Sequence, residues 1–70
     1  MIEVFATDVN SPDEAKRIKG RLLVRFPGTR INFDLQDCDR VLRVEGSRFT
    51  APEVIGILKE EGFLCRVLED

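Results

Sequence analysis

Histidine, tryptophan and tyrosine are all missing from this 70-residue chain, and cysteine occurs only twice. Without histidine the chain lacks the commonest acid/base group near neutral pH and the commonest metal ligand. Cys38 and Cys65 stand far apart and form no motif; in a cytosol they are expected to stay reduced. No apolar run approaches the ~20 residues that cross a bilayer, so no membrane insertion is expected. Met1-Ile2-Glu3-Val4-Phe5 enters a strand pattern directly, with neither a basic region nor a cleavage site. No secretory signal is therefore predicted, and cytoplasmic residence is the expectation. Positive charge is not in excess: 11 Lys and Arg face 13 Asp and Glu, a net charge of −2. That balance argues against nucleic acid, whose phosphates call for a clear basic surplus.

What remains is enough for one small domain. Hydrophobic residues make up 43%, sufficient for a single compact core but not for a deep enclosed active site as well. Charged residues make up 34%, with both signs interspersed, which suits a solvated surface.

Periodicity divides the chain into six elements. Ile2 to Ala6 alternates as a strand, with Ile2, Val4 and Ala6 on one side and Glu3 and Phe5 on the other. Ser11-Pro12-Asp13-Glu14 is a capping box: serine at the N-cap, proline at the first helical position, glutamate three residues past the cap. Ala15, Ile18, Leu22 and Phe26 then recur at helical spacing, with Leu23 flanking, until Pro27-Gly28 stops the helix. Thr29 to Gln36 alternates again and presents Ile31, Phe33 and Leu35 to one side. Asp37-Cys38-Asp39 reads as a turn, and Arg40 to Glu45 as a returning strand, so the pair is predicted as a β-hairpin. In the returning strand Leu42 and Val44 share one face and Val41, Arg43 and Glu45 the other. Thr50-Ala51-Pro52-Glu53 is a second capping box. It opens a helix with Val54, Ile57 and Leu58 inward and Ala51 and Ile55 at the edge, ending at Glu61-Gly62. Phe49, just before that cap, is expected to act as a hydrophobic staple against Val54 or Ile55. Phe63 to Leu68 is predicted as the last strand, with Cys65 and Val67 inward.

The predicted fold class is α+β: a ferredoxin-like β-α-β-β-α-β sandwich, with a four-stranded antiparallel sheet and both helices on one face. The first and third strands are expected in the middle of the sheet and the second and fourth at its edges.

On these residues the chain resembles the heavy-metal-associated domain, the fold of small copper chaperones and of the N-terminal modules of metal-pumping ATPases. Four landmarks carry the resemblance over nearly the whole chain: Phe26-Pro27-Gly28, Ile31-Asn32-Phe33-Asp34-Leu35, Arg43-Val44-Glu45-Gly46 and Glu61-Gly62-Phe63. That family holds soft metal through Met-x-Cys-x-x-Cys at the first loop. Counted back from Pro27-Gly28, its two cysteines fall on Pro12 and Ala15, neither of which ligates a metal. The resemblance therefore implies the scaffold and a habit of docking on partners, but no metal transfer. In that family an aromatic at the position of Phe63 packs near the metal loop; here it is expected to pack in the core.

The candidate working surface is the sheet face left uncovered by helices. By alternation it is expected to carry Phe5, Val41, Leu64 and Leu68 among Glu3, Arg43, Glu45 and Arg66. An apolar cluster with a charged rim is the composition of an interface. The open edges of the second and fourth strands offer docking by strand addition. The acidic first loop offers Asp8, Asp13 and Glu14, but Asp13 and Glu14 are accounted for by the helix N-terminus. Cys38 and Cys65 are expected on opposite flanks of one end of the sheet, three strand steps of ~4.8 Å apart, beyond disulfide reach. Cys65 is expected as a small buried hydrophobe and Cys38 as an exposed turn residue.

RNA-recognition domains share this topology but stack bases on aromatics of the central strands, where only Phe5 fits. Small-molecule regulatory domains of the ACT type share it too, yet nothing here specifies a ligand. Nor does the chain assemble a nucleophile–base pair, carboxylates paired in a pocket, or a phosphate loop. The expectation is a non-enzymatic binding module without a cofactor, whose partner is another protein or a second copy of itself. The alternative is a metal-ion handling protein for copper or zinc, using a non-standard site at Cys38 or Cys65.

Overall fold

A computed structural model describes residues 1–69 as an α+β fold of four strands and two helices. Along the chain these are β1 (Ile2–Thr7), α1 (Pro12–Arg25), β2 (Arg30–Asp34), β3 (Val41–Glu45), α2 (Ala51–Glu60) and β4 (Cys65–Val67). The strands form one antiparallel sheet in the order β2-β3-β1-β4. Thus β1 and β3 lie in the middle and β2 and β4 at the edges.

Both helices begin as their caps dictate. The Ser11 hydroxyl accepts from the Glu14 N–H at 3.5 Å, and the Thr50 hydroxyl from the Glu53 N–H at 3.3 Å. Each satisfies an amide that the first helical turn leaves without a partner. Gly28 and Gly62 end the two helical segments at φ +88° and +92°, a conformation that glycine adopts without steric cost. The helices are also tied to each other across their surface. Glu61 accepts from Arg17 and Arg21, both at 3.0 Å, while Arg21 also reaches Glu60 and Arg25 reaches Glu53. Arg21 first and Arg17 second hold the Glu61 carboxyl below the ordinary carboxylate range.

One core fills the space between the helices and one face of the sheet. It takes Ala15, Ile18, Leu22 and Phe26 from the first helix and its C-cap, Val54 and Leu58 from α2, and Phe5, Ile31, Leu42 and Val44 from the strands. Phe49, next to the α2 cap, is buried there and meets the Phe26 ring edge-on at 6.4 Å. Phe63 packs against the same core, as does Cys65.

The register of β1 corrects the sequence-based face assignment. Phe5 sits directly opposite Leu42 on one side and Val67 on the other, and is fully buried. Glu3 is opposite Val44 and so lies on the same covered side. Phe5 is therefore a core residue and not part of the uncovered face. The uncovered face of β1 is made by Ile2, Val4 and Ala6. Counting apolar residues favoured burying those three, but the aromatic ring removes more apolar area from water. Its phase decides which face is covered.

Two connections also depart from expectation. β2 ends at Asp34, so the hairpin connection runs over residues 35–40. Arg40 has φ +45° there, and its guanidinium donates to the Leu35 carbonyl at 2.5 Å. The last strand covers Cys65–Val67 only. Val9, in the loop after β1, is fully buried although no periodic pattern points to it. Its N–H donates to the Thr7 hydroxyl at 3.2 Å, which turns the chain back over the core. No helix among the described residues is long and apolar enough to cross a membrane.

Gly46 fixes how closely the two helix-flanking loops approach. A Cβ placed on it would lie 2.8 Å from Thr29 Cγ2. Gly46→Ala is expected to destabilise the domain by about 1–3 kcal/mol through this overlap. Phe5→Ala, which empties the middle of the core, is expected to cost about 3–5 kcal/mol. Urea unfolding followed by far-UV circular dichroism checks both. A Phe5→Ala cost near zero would return Phe5 to the surface.

Candidate functional site

Two surfaces bring together the residues singled out by sequence. The first is the sheet face turned away from the helices. The paired registers place its side chains in rows: Arg30, Glu45 and Ile2; then Asn32, Arg43 and Val4; then Asp34 with Val41, and Ala6 with Arg66. Val4 and Val41 are half-buried, while Arg43 and Arg66 are exposed. Leu68 follows β4, is half-buried, and donates its N–H to the Val4 carbonyl at 2.8 Å. That bond extends the sheet past β4 and sets Leu68 beside Val4.

Leu64 precedes β4 and is 75% exposed, the most exposed leucine among the large hydrophobic residues. Its N–H donates to the Asp8 carboxylate at 2.8 Å. Asp8 thus has a structural task, holding the start of β4 against the end of β1. Of the four predicted interface residues, Val41 and Leu68 lie on this face, Leu64 stands at its end, and Phe5 is behind it in the core. Val4 and Ile2 belong to the face, on the side of β1 opposite the one that the sequence expectation gives to the face through Phe5. Their signal was present in the same alternation, read in the opposite phase.

The second surface is a groove of about 360 Å³ at the end of the sheet where β1 leaves and β4 enters. Thr7 and Asp8 form its floor, with Cys38 and Asp39 on one side and Leu64, Cys65 and Arg66 on the other. The hairpin loop leans over β1: the Thr7 N–H donates to the Asp39 carbonyl at 2.9 Å, and the Thr7 hydroxyl to the Arg40 carbonyl at 2.6 Å. Cys65 is the β4 partner of Thr7. The two cysteines, expected on opposite flanks three strand steps apart, thus line one groove with the end of β1. The fold of the six-residue loop, which sequence does not encode as a regular period, makes the difference. Both cysteines are free thiols.

The two thiols differ chemically. Cys38 is exposed on the loop, whereas burial raises the Cys65 thiol from its ordinary 9.0 to about 12. The thiolate is the reactive form, so Cys65 is inert at neutral pH. Beside Cys38 stand Asp37 and Asp39, and one ligand atom from each of the three lies within 4.8 Å of the others. The Asp37 carboxylate already accepts the Asp39 N–H at 2.9 Å, which shapes the turn. No family model matches the chain, and no curated protein matches it.

Raising the pH from 7 to 9 leaves Cys65 protonated, because its titration lies near 12. Native protein is therefore expected to release one equivalent of chromophore rapidly with a disulfide reagent, and a second only after denaturation. Cys38→Ser is expected to abolish the fast phase. Two fast equivalents in the native protein would contradict the burial of Cys65.

Proposed function

We propose that this chain is a non-enzymatic binding module that works through protein contacts on the uncovered sheet face. In this reading it is a ferredoxin-like domain of the heavy-metal-associated kind, without that family's metal cysteines. The alternation of elements along the chain, with β1 and β3 central, supports the fold reading. The resemblance at Phe26-Pro27-Gly28 and Glu61-Gly62-Phe63 supports the family reading.

One observation carries the function. Val4, Val41 and Leu68 are neighbours on a face that no helix covers, Leu64 projects at its end, and Arg43 and Arg66 stand exposed around them. Apolar side chains at the centre of a flat surface with arginine at the rim are the composition of a protein interface. The strands beneath are rigidly paired, so a partner meets a preformed surface and orders little on binding.

Val41→Asp and Leu64→Asp each place a charge on this surface without entering the core. Partners captured by the wild-type domain and then purified are expected to bind each variant roughly tenfold more weakly, with the amide spectrum otherwise retained. Equal binding by both folded variants would remove the face from the mechanism.

A second reading is favoured by the juxtaposition of Asp37, Cys38 and Asp39, of which Cys38 and Asp39 line the groove that Cys65 also lines. It assigns the domain to metal-ion handling at the hairpin. One exposed thiol with two carboxylates suits Zn(II) better than Cu(I), which prefers several soft donors. Titration of the reduced protein with Zn(II), followed by amide shifts and hydrodynamic size, is expected on this reading to give saturable shifts at residues 37–39 that Cys38→Ser abolishes. Absence of saturable shifts would exclude it.

A further inference from the structure

We infer that the edge strand β2 pairs with the β2 of a second copy, in antiparallel register about a two-fold axis through Asn32. This inference goes beyond the reading of the sheet face, because it uses the strand's edge and a pattern along the strand.

β2 lies at the edge of the sheet, paired on one side with β3. Its pairing with β3 advances one residue at a time from Arg30↔Glu45 to Asp34↔Val41, so no bulge bends it away. It contains no proline or lysine and alternates Arg30-Ile31-Asn32-Phe33-Asp34. An open, regular edge of this kind is a template for another strand unless something blocks it. The other edge strand, β4, has only three residues.

The charges on β2 choose the occupant. Arg30, Asn32 and Asp34 are exposed on one side of the strand, and among the described residues neither Arg30 nor Asp34 takes part in an ion pair. Turned antiparallel about Asn32, a second copy sets its Asp34 opposite Arg30, its Asn32 opposite Asn32, and its Arg30 opposite Asp34. Two opposite-charge pairs and an amide pair form at once, which is the arrangement that stabilises cross-strand neighbours. On the other side of the strand Phe33 comes opposite Ile31 of the second copy, twice; Ile31 is a buried core residue, so the area to be gained there is that of Phe33. Phe33 is half-buried in its own chain, so its ring has area left to cover. Because the axis passes through a residue, the register serves whichever alternate backbone groups of β2 point outward.

The product is an eight-stranded sheet whose uncovered face runs continuously through both copies. The interface is small, so association is expected to be weak and concentration-dependent.

Charge reversal tests the register. Arg30→Asp and Asp34→Arg each turn both cross-copy pairs into like-charge pairs, at exposed positions outside the core. Sedimentation velocity of the wild type up to about millimolar concentration is expected to show a monomer–dimer equilibrium. Each single variant is expected to self-associate roughly tenfold more weakly or worse. An equimolar mixture of the two variants restores both attractive pairs and is expected to recover association, as is the doubly reversed chain. Asn32→Asp opposes like charges on the axis and is expected to weaken association without touching either pair. A monomeric wild type, single variants that associate like wild type, or a mixture no tighter than its components would each overturn the inference. Leu64→Asp lies beside β4, at the opposite edge of the sheet from β2, and is expected to dimerise as wild type does, so failure of the face reading and failure of this one are told apart.

Discussion

The burial of Phe5 between Leu42 and Val67 is the contact on which the rest of the structure depends. It sits on a central strand, in the core cluster shared with residues of both helices, and sets the phase of β1. Once the ring points inward, Ile2, Val4 and Ala6 must point outward, because successive side chains in a strand alternate. The uncovered face, and with it the candidate interface, follows from that single choice. A domain of this size has few core residues, so one aromatic ring is a large share of its apolar burial.

Around that centre the chain uses its polar groups mainly to hold the frame. Asp8 ties the start of β4 to the first loop, and Thr7 joins β1 to the hairpin loop and to Val9. The ion pairs between α1 and α2 close the outer surface over the core. In that arrangement the acidic residues of the first loop and helix start are structural: Glu14 and Asp13 sit in the first turn, and Asp8 holds β4. A helix N-terminus and a strand end account for them without a ligand.

The groove between Cys38 and Cys65 shows how a loop changes the chemistry available to a sheet. Strand spacing alone separates the two cysteines widely. The hydrogen bonds from Thr7 to the carbonyls of Asp39 and Arg40 fold the hairpin loop over β1 and bring both thiols to one surface. They remain unlike in reactivity, since Cys65 is packed against the core and Cys38 is exposed.

Local signals determined most of the secondary structure. Ser11 and Thr50 cap their helices as hydroxyl residues do, Gly28 and Gly62 end them by adopting positive φ, and the inward faces of α1, α2 and β3 follow their periodicity. These features depend on neighbours three or four residues away, or on the alternation of one strand, and are legible without the fold. What only the tertiary structure decided was the phase of β1, the burial of Val9, the course of residues 35–40 and the groove that Cys38 and Cys65 both line. In β1 both phases offer apolar residues, so the decision rests on which side chains fill the space left by Leu42, Val67 and the two helices. The loops carry no period at all, and their shape is set by hydrogen bonds to strands distant in sequence.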